Sequence, residues 1–254
     1  MTTLFGVDVG GSGVKGALVD VETGSLATQR FRIPTPRPST PEAVYDTIGE
    51  VIGDNRWDGP LGVAIPVVVV KGVAESAANI DPAWIGADVE GALEERCGRP
   101  VVVLNDADAA GLAEMAYGSG VGSSGVVVVL TFGTGVGSGL FVDGRLVPNT
   151  EFGHLEFHGQ IAEATTAGRL VERQEVSLIP WAERVNEYLN YVHRLFTPEL
   201  IVFGGGISKR FEDFSHIFDV PCRVTAATCA AGSEAPSAGA LNTYAAGWGW
   251  PLWE

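Results

Sequence analysis

The sequence predicts an α/β fold assembled from two copies of one lobe, and three observations carry that prediction. Apolar, β-branched runs (Leu61 to Val70, Val101 to Leu104, Val126 to Leu130) alternate with segments of helical spacing, the pattern of sheets covered by helices. A strand–glycine turn–strand unit, LFGVDVGGSGVKGALVD from Leu4 to Asp20, has an echo in VVVVLTFGTGVGSGLFVD from Val126 to Asp143. At an offset of 123 positions Gly10 falls on Gly133, Gly16 on Gly139, Val19 on Val142 and Asp20 on Asp143. That offset is nearly half of the 254 residues, so duplication is the economical explanation, with chance likeness of two glycine hairpins as the alternative.

Taken in order, the first hairpin is followed by a turn at Thr23-Gly24 and a strand-like run with Phe31 and Ile33. Pro34, Pro36, Pro38 and Pro41 then read as an extended linker. Val44, Ile48, Val51 and Ile52 recur at helical spacing between Pro41 and Gly53. Leu61 to Val70 reads as one strand buried on both faces. Ala87 to Cys97 reads as a helix, Val101 to Leu104 as a buried strand and Ala107 to Tyr117 as an alanine-rich helix. Beyond the second hairpin the pattern is irregular from Asn149 to Gln174. A helix follows from Trp181 to Phe196, stopped by Pro198, and then a strand, Leu200 to Phe203, runs into Gly204-Gly205-Gly206. The segment from Gly232 to Tyr244 includes a closing helix. The tail carries Trp248, Trp250 and Trp253, read as a pinned lid, with a contact to a partner chain as the other reading.

The formal charge of −15 disfavours a broad nucleic-acid or acidic-membrane surface. Three cysteines without paired spacing make no disulfide framework, and 46% hydrophobic residues suffice for a large core. No apolar run reaches membrane-spanning length, and Met1 leads directly into the first strand, so a soluble cytoplasmic protein is expected.

Several residues have the chemistry of a site. Gly10, Gly11 and Gly13 leave backbone N–H groups able to close around an anion, Lys15 adds a cation, and Asp8 could hold Mg²⁺ directly or through water. A purely structural turn is the competing reading. Asn105-Asp106 lies where a buried strand meets a helix, the usual place for active groups in parallel sheets, although an N-cap has the same signature. A carboxylate there could accept the proton of a hydroxyl attacking phosphorus. Glu151 and His154 can accept from and donate to neighbouring sugar hydroxyls. The His154–Glu156–His158 spacing also admits a metal, with no cysteine nearby to complete a tetrahedral set. Gly204 to Gly206, between a strand and a helix, is a further anion- or nucleotide-approach loop.

Together, DVGGSGVKG, VVVLNDADAAG, LTFGTGVGSG and NTEFGHLE resemble the ROK sugar kinases of the actin-like ATPase (ribonuclease H-like) superfamily. SAANIDPAWIGADV, TPELIVFGGGISK and GSEAPSAGAL extend the likeness over nearly the whole chain, toward the polyphosphate glucokinase branch. The resemblance implies two actin-like lobes around a cleft, residues 1–106 and 107–254, with a closing helix near 234–246 packing back on the first. It places Asp8, Gly10, Gly11, Ser12 and Lys15 in a first phosphate loop, and Gly133, Thr134, Gly135 and Gly137 in a second. Gly204, Gly205, Gly206 and Ser208 would approach a nucleotide. Asp106 would be the general base toward the 6-hydroxyl of glucose or a related hexose, held by Asn79, Asn105, Asp106, Glu151, His154 and Glu163. The implied donor is polyphosphate, ATP or both, with Mg²⁺, in a homodimer that uses no nucleic acid and no membrane. The chain departs from the wider family in having no cysteine-rich zinc loop after the glutamate–glycine–histidine segment, so no structural zinc is expected. It also has Pro66-Val67 where proline–glycine is common. The alternatives are an inactive sugar-sensing relative and a hexokinase using ATP alone on mannose or another hexose.

Overall fold

The opening glycine turn folds as a hairpin of β1 (Thr3–Gly10) and β2 (Gly13–Asp20), paired antiparallel from Thr3 with Asp20 to Gly10 with Gly13. The structure, a computed structural model, describes residues 3–55, 57–78 and 80–229. The closing helix expected near 234–246 and the tryptophan tail lie outside the described residues. Contacts divide the chain into two units, the first running to Ala116 and the second starting at Tyr117.

In the first unit β3 (Phe31–Ile33) pairs with β2, and α1 (Pro41–Asn55) follows with proline at its first position, where a missing N–H costs nothing. Its expected apolar face is buried: Val44, Ile48 and Val51 are fully enclosed and Ile52 nearly so. The run expected as one strand from Leu61 to Val70 is instead broken. β4 (Leu61–Ile65) ends before Pro66, and the Val67 N–H turns back onto the Ile65 carbonyl at 2.9 Å. Proline cannot donate to the ladder, and the run of valines on either side hides that interruption from a reading by composition. The rest of the run forms β5 (Val69–Val70), which pairs with β6 (Val73–Ala74). Asp88 caps α2 (Val89–Cys97) by accepting from Gly91 N–H at 3.0 Å. β7 (Val101–Asn105) then leads without a loop into α3 (Asp106–Tyr117). The two units therefore divide at the end of α3, whereas the expected boundary stood at its start. The sheet order is β3-β2-β1-β4-β7, with β1, β4 and β7 parallel.

The second unit repeats this plan. β8 (Val126–Phe132) and β9 (Val136–Val142) form the echo hairpin, and β10 (Arg145–Val147) pairs on its outside. An irregular stretch follows, with the short pair β11 (Glu156–Phe157) and β12 (Gln160–Ile161) and the single-turn helices α4 (Glu163–Thr166) and α5 (Arg169–Glu172). The long helix α6 (Leu178–Phe196) begins three residues before the expected Trp181, because Pro180 falls in its first turn, where proline is tolerated. β13 (Leu200–Gly204), α7 (Phe211–Phe214) and β14 (Arg223–Ala226) complete the unit. The sheet order, β10-β9-β8-β13-β14, matches the first sheet strand for strand, including which pairs are antiparallel and which parallel. β8 and β9 begin 123 residues after β1 and β2, so the duplication read from the sequence is present in the topology.

The copies differ by one residue in the turn. The first hairpin closes on Gly10 with Gly13, the second on Phe132 with Val136. In consequence Asp20 pairs inside its strand, whereas Asp143 falls just past β9 with φ +49° and accepts from Gly125 N–H. Each unit has its own core. Trp84 anchors the first, its indole N–H donating to the Ser39 carbonyl at 2.8 Å. In the second, Phe132 stacks on Phe203 with ring centres 4.4 Å apart, edge-on to Trp181 and Tyr188. No helix among the described residues is long and apolar enough to cross a membrane.

Candidate active site

The antiparallel register of the first hairpin sets Asp8 directly opposite Lys15, and their side chains meet with Nζ 3.3 Å from Oδ2. Both are largely buried, at 12% and 15% exposure, so the pair is a fixed part of the turn. The tip is held from two sides: Thr35 Oγ1 donates to the Gly10 carbonyl, and Arg32 Nη2 donates to the Ser12 carbonyl at 2.6 Å. Gly11 stays open, with nothing within 4 Å of where a side chain would begin.

β1, β4 and β7 run parallel, with Asp8 beside Ala64 and Ala64 beside Leu104. The Asp8–Lys15 pair and the Asn105-Asp106 junction therefore sit at the same end of one sheet, two strands and about 10 Å apart. Of the two junction residues, Asn105 does the capping. Its Oδ1 accepts from the N–H groups of Ala107 at 2.9 Å and Asp108 at 3.2 Å, and its Nδ2 donates to the Val67 carbonyl at 3.1 Å. That side chain ties the helix start to the segment after β4, while the Asp106 side chain is exposed. Asn105→Ala is expected to lower unfolding stability by about 2–3 kcal/mol, the cost of a lost cap plus an unpaired buried carbonyl. The midpoint of urea unfolding measures it. The expected sugar ligand Asn79 lies outside the described residues.

In the second unit the turn of Gly133, Thr134 and Gly135 is gripped by its surroundings. Arg169 donates from its backbone N–H to the Gly133 carbonyl at 2.9 Å and from its guanidinium to the Thr134 carbonyl. Glu163, first residue of α4, accepts the Val136 N–H at 3.2 Å. The segment carrying Glu163 thus reaches the second glycine turn. Gly137 lies in β9 opposite Thr131, and Gly204 ends β13 beside the same Thr131. Gly205 has φ +87° and its Cα lies against the Phe132 backbone, so the two glycine segments touch. Ser208, which the resemblance placed toward a nucleotide, donates its hydroxyl to the Gly205 carbonyl at 2.7 Å and so holds the glycine turn.

Glu151 and His154 come from the loop after β10. Ser138 on β9 fixes that loop, donating to the Thr150 carbonyl and accepting the Phe152 N–H at 3.0 Å. Tyr188 on α6 closes it from behind with a 2.9 Å bond to the Phe152 carbonyl. His154 Nδ1 stands 3.7 Å from Glu151 Oε2. Burial raises the Glu151 carboxyl above its ordinary 4.5, His154 opposes the shift, and the Glu163 carboxylate adds to it. Glu151, His154 and Glu163 thus share one electrostatic neighbourhood. His158 is engaged elsewhere, with Nε2 3.0 Å from Glu187 on α6.

Reading the sequence alone passed over the two arginines on the turn tips and the serine behind the Glu151 loop. Arg32 had only a local signal, its place between two apolar residues in a short strand, which marks an outward-facing side chain without linking it to the turn. Arg169 and Ser138 had none, since their partners are set by tertiary packing.

Comparison with known proteins agrees with this geometry. The ROK family model matches residues 4–168. The chain is 49% identical over 207 residues to a polyphosphate glucokinase of Mycobacterium tuberculosis (strain CDC 1551 / Oshkosh), covering 81% of this chain and 78% of that protein. The crystal structure of an inorganic polyphosphate/ATP-glucomannokinase from Arthrobacter sp. strain KM superposes with a TM-score of 0.90 at 41% identity, over 97% of this chain and all of that one. A ROK family glucokinase from Streptomyces griseus, solved with glucose and AMPPNP, shares the fold with a TM-score of 0.80 at 23% identity, over 95% of this chain and 99% of that one. With two sheets of one topology, paired glycine hairpins and these relatives, the chain belongs to the ROK family and has its actin-like fold.

Proposed function

We propose that this protein is a sugar kinase that transfers a phosphoryl group from inorganic polyphosphate, ATP or both to the 6-hydroxyl of glucose. The observation that carries the proposal is the exposed Asp106 carboxylate at the start of α3, on the same sheet end as the Asp8–Lys15 turn. The 49% identity to a polyphosphate glucokinase and the likeness to a polyphosphate/ATP-glucomannokinase support the choice of donor and acceptor.

Phosphoryl transfer asks a protein mainly for position and charge neutralisation. Backbone N–H groups of the two glycine turns and Lys15 would grip donor phosphates, while Glu151, His154 and Glu163 would hold sugar hydroxyls. Asp106 would take the hydroxyl proton as the sugar oxygen bonds to phosphorus. The bond from that phosphorus to the rest of the donor then breaks, and the shortened donor leaves with its electron pair. Asp8 offers the hard oxygen that Mg²⁺ prefers, and its pairing with Lys15 suits a hold through water. Bound there, Mg²⁺ would offset phosphate charge. Gly204 to Gly206 would accommodate a nucleoside when ATP is the donor.

A coupled assay with glucose, Mg²⁺ and either donor tests the proposal, and absence of sugar phosphate with both would sink it. Mannose belongs in the same assay, because the Arthrobacter relative is a glucomannokinase.

The raised Glu151 carboxyl gives a pH signature. Its folded-state pKa exceeds 4.5, so its contribution to stability is complete below the unfolded value and fades as pH rises through the folded one. A sugar hydroxyl needs the ionised carboxylate as acceptor, so the rise in glucose KM on acidification is expected to begin above pH 4.5. Glu151→Gln is expected to raise that KM by about tenfold or more at neutral pH and to flatten its pH dependence. Profiles of KM against pH for the two proteins decide it.

A further inference from the structure

Three strands of the first unit place Asp8, Lys15 and Arg32 in one row, each directly opposite the next. Residues opposite one another in antiparallel strands project from the same face, about 5 Å apart. Within the row the charges are not matched. Asp8 takes Lys15, while no carboxylate among the described residues pairs with Arg32. That isolation is notable in a chain with 31 acidic and 16 basic residues.

The guanidinium is also held in place. Its Nη2 donates to the Ser12 carbonyl at 2.6 Å and stands 3.4 Å from Ser12 Oγ. Its Nε lies 2.5 Å from where a Cβ on residue 13 would be, so only glycine at that position lets the guanidinium lie across the turn. A surface arginine otherwise retains much of its rotamer freedom. Here the ordering is achieved through neutral oxygens, which leaves the positive charge uncompensated and the Nε and Nη1 donors without partners among the described residues.

We propose that Arg32 is a second cationic contact of the first glycine turn, holding a phosphate of a polyanionic donor beside the one gripped by Lys15 and the turn amides. The identity of that anion rests on the kinase reading above. A planar guanidinium presents a fork that fits phosphate oxygens in pairs. With one edge fixed on Ser12, that fork is preorganised. The donor best matched to the row is a run of linked phosphates, because a chain with negative charge on every phosphate can meet the cations of two neighbouring strands at once. The sequence signature is Gly13 with Arg32, residues that meet only through the β2–β3 pairing.

Calorimetric titration of inorganic tripolyphosphate into wild type, Arg32→Ala and Arg32→Lys tests this, with glucose titrated into the same samples. The expected result is a tripolyphosphate Kd at least tenfold weaker in Arg32→Ala, intermediate in Arg32→Lys, and a glucose Kd within twofold throughout. A tripolyphosphate Kd within twofold of wild type in Arg32→Ala, an equal shift in glucose affinity, or no tripolyphosphate binding by wild type would each overturn it. Should Arg32→Ala not fold, Arg32→Gln keeps an N–H for the Ser12 carbonyl without the charge, and the same Kd thresholds apply. Because binding is read without turnover, a protein that binds tripolyphosphate through Arg32 but makes no sugar phosphate would sink the kinase reading and leave this contact standing.

Discussion

Asp106→Ala is expected to lower turnover by more than about 10²-fold, the scale of a lost general base, with the glucose KM changed little. Asp106 opens α3 while Asn105 supplies the cap, so the substitution removes proton acceptance without removing the bonds that start the helix. An acidic side chain in a first turn is worth about 0.3–1 kcal/mol, too little to unfold the unit. Asp106→Asn keeps the shape and removes the basicity, and the same loss is expected. Steady-state kinetics with both donors measure it, and turnover within a few-fold of wild type in either variant would take Asp106 out of the role.

The largest effect on stability is expected at Gly205. Its φ of +87° is unfavourable for any residue with a side chain, and a Cβ there would stand 2.4 Å from both the backbone nitrogen and the oxygen of Phe132. Backbone cannot yield as a flexible side chain does. Phe132 is itself stacked on Phe203 and edge-on to Trp181 and Tyr188, so displacing it disturbs the middle of the second core. Strain and overpacking together predict a loss of about 3 kcal/mol or more for Gly205→Ala. Gly133→Ala is the matched control. Nothing stands within 4 Å of its Cβ position, and a change under about 1 kcal/mol is expected. Coincident urea midpoints for Gly205→Ala and wild type would refute the clash.

What the sequence disclosed follows from where the information lies. Glycine turns between β-branched strands are local, so both hairpins, their offset and the following helices could be read from composition and spacing. Pro66 is local too, yet the valines around it kept the strand signal alive across the break. The division of roles at Asn105-Asp106 required coordinates, because either side chain could cap and only the geometry shows which one does. Arg32 was invisible as part of the turn for a different reason. Its partner Ser12 lies 20 positions earlier, and strand pairing alone brings the two together. The same holds for Glu163, whose bond to Val136 spans 27 positions. Long-range register is a property of the folded chain, and local periodicity does not encode it.

The repeated hairpin has one more consequence. The duplication offset carries Lys15 onto Ser138, and Asp8 onto Thr131. In the first copy this strand position carries an ammonium paired with a carboxylate. In the second it is a hydroxyl enclosed to 1% exposure, tying down the loop that presents Glu151 and His154. Positions matched by the offset thus serve electrostatics in one half and scaffolding in the other, where the longer turn sets Thr131 opposite Gly137 and Ser138 opposite Leu130. A lysine at 138 would bury its charge against the Thr150 loop, and a serine at 15 would leave Asp8 without the cation it faces.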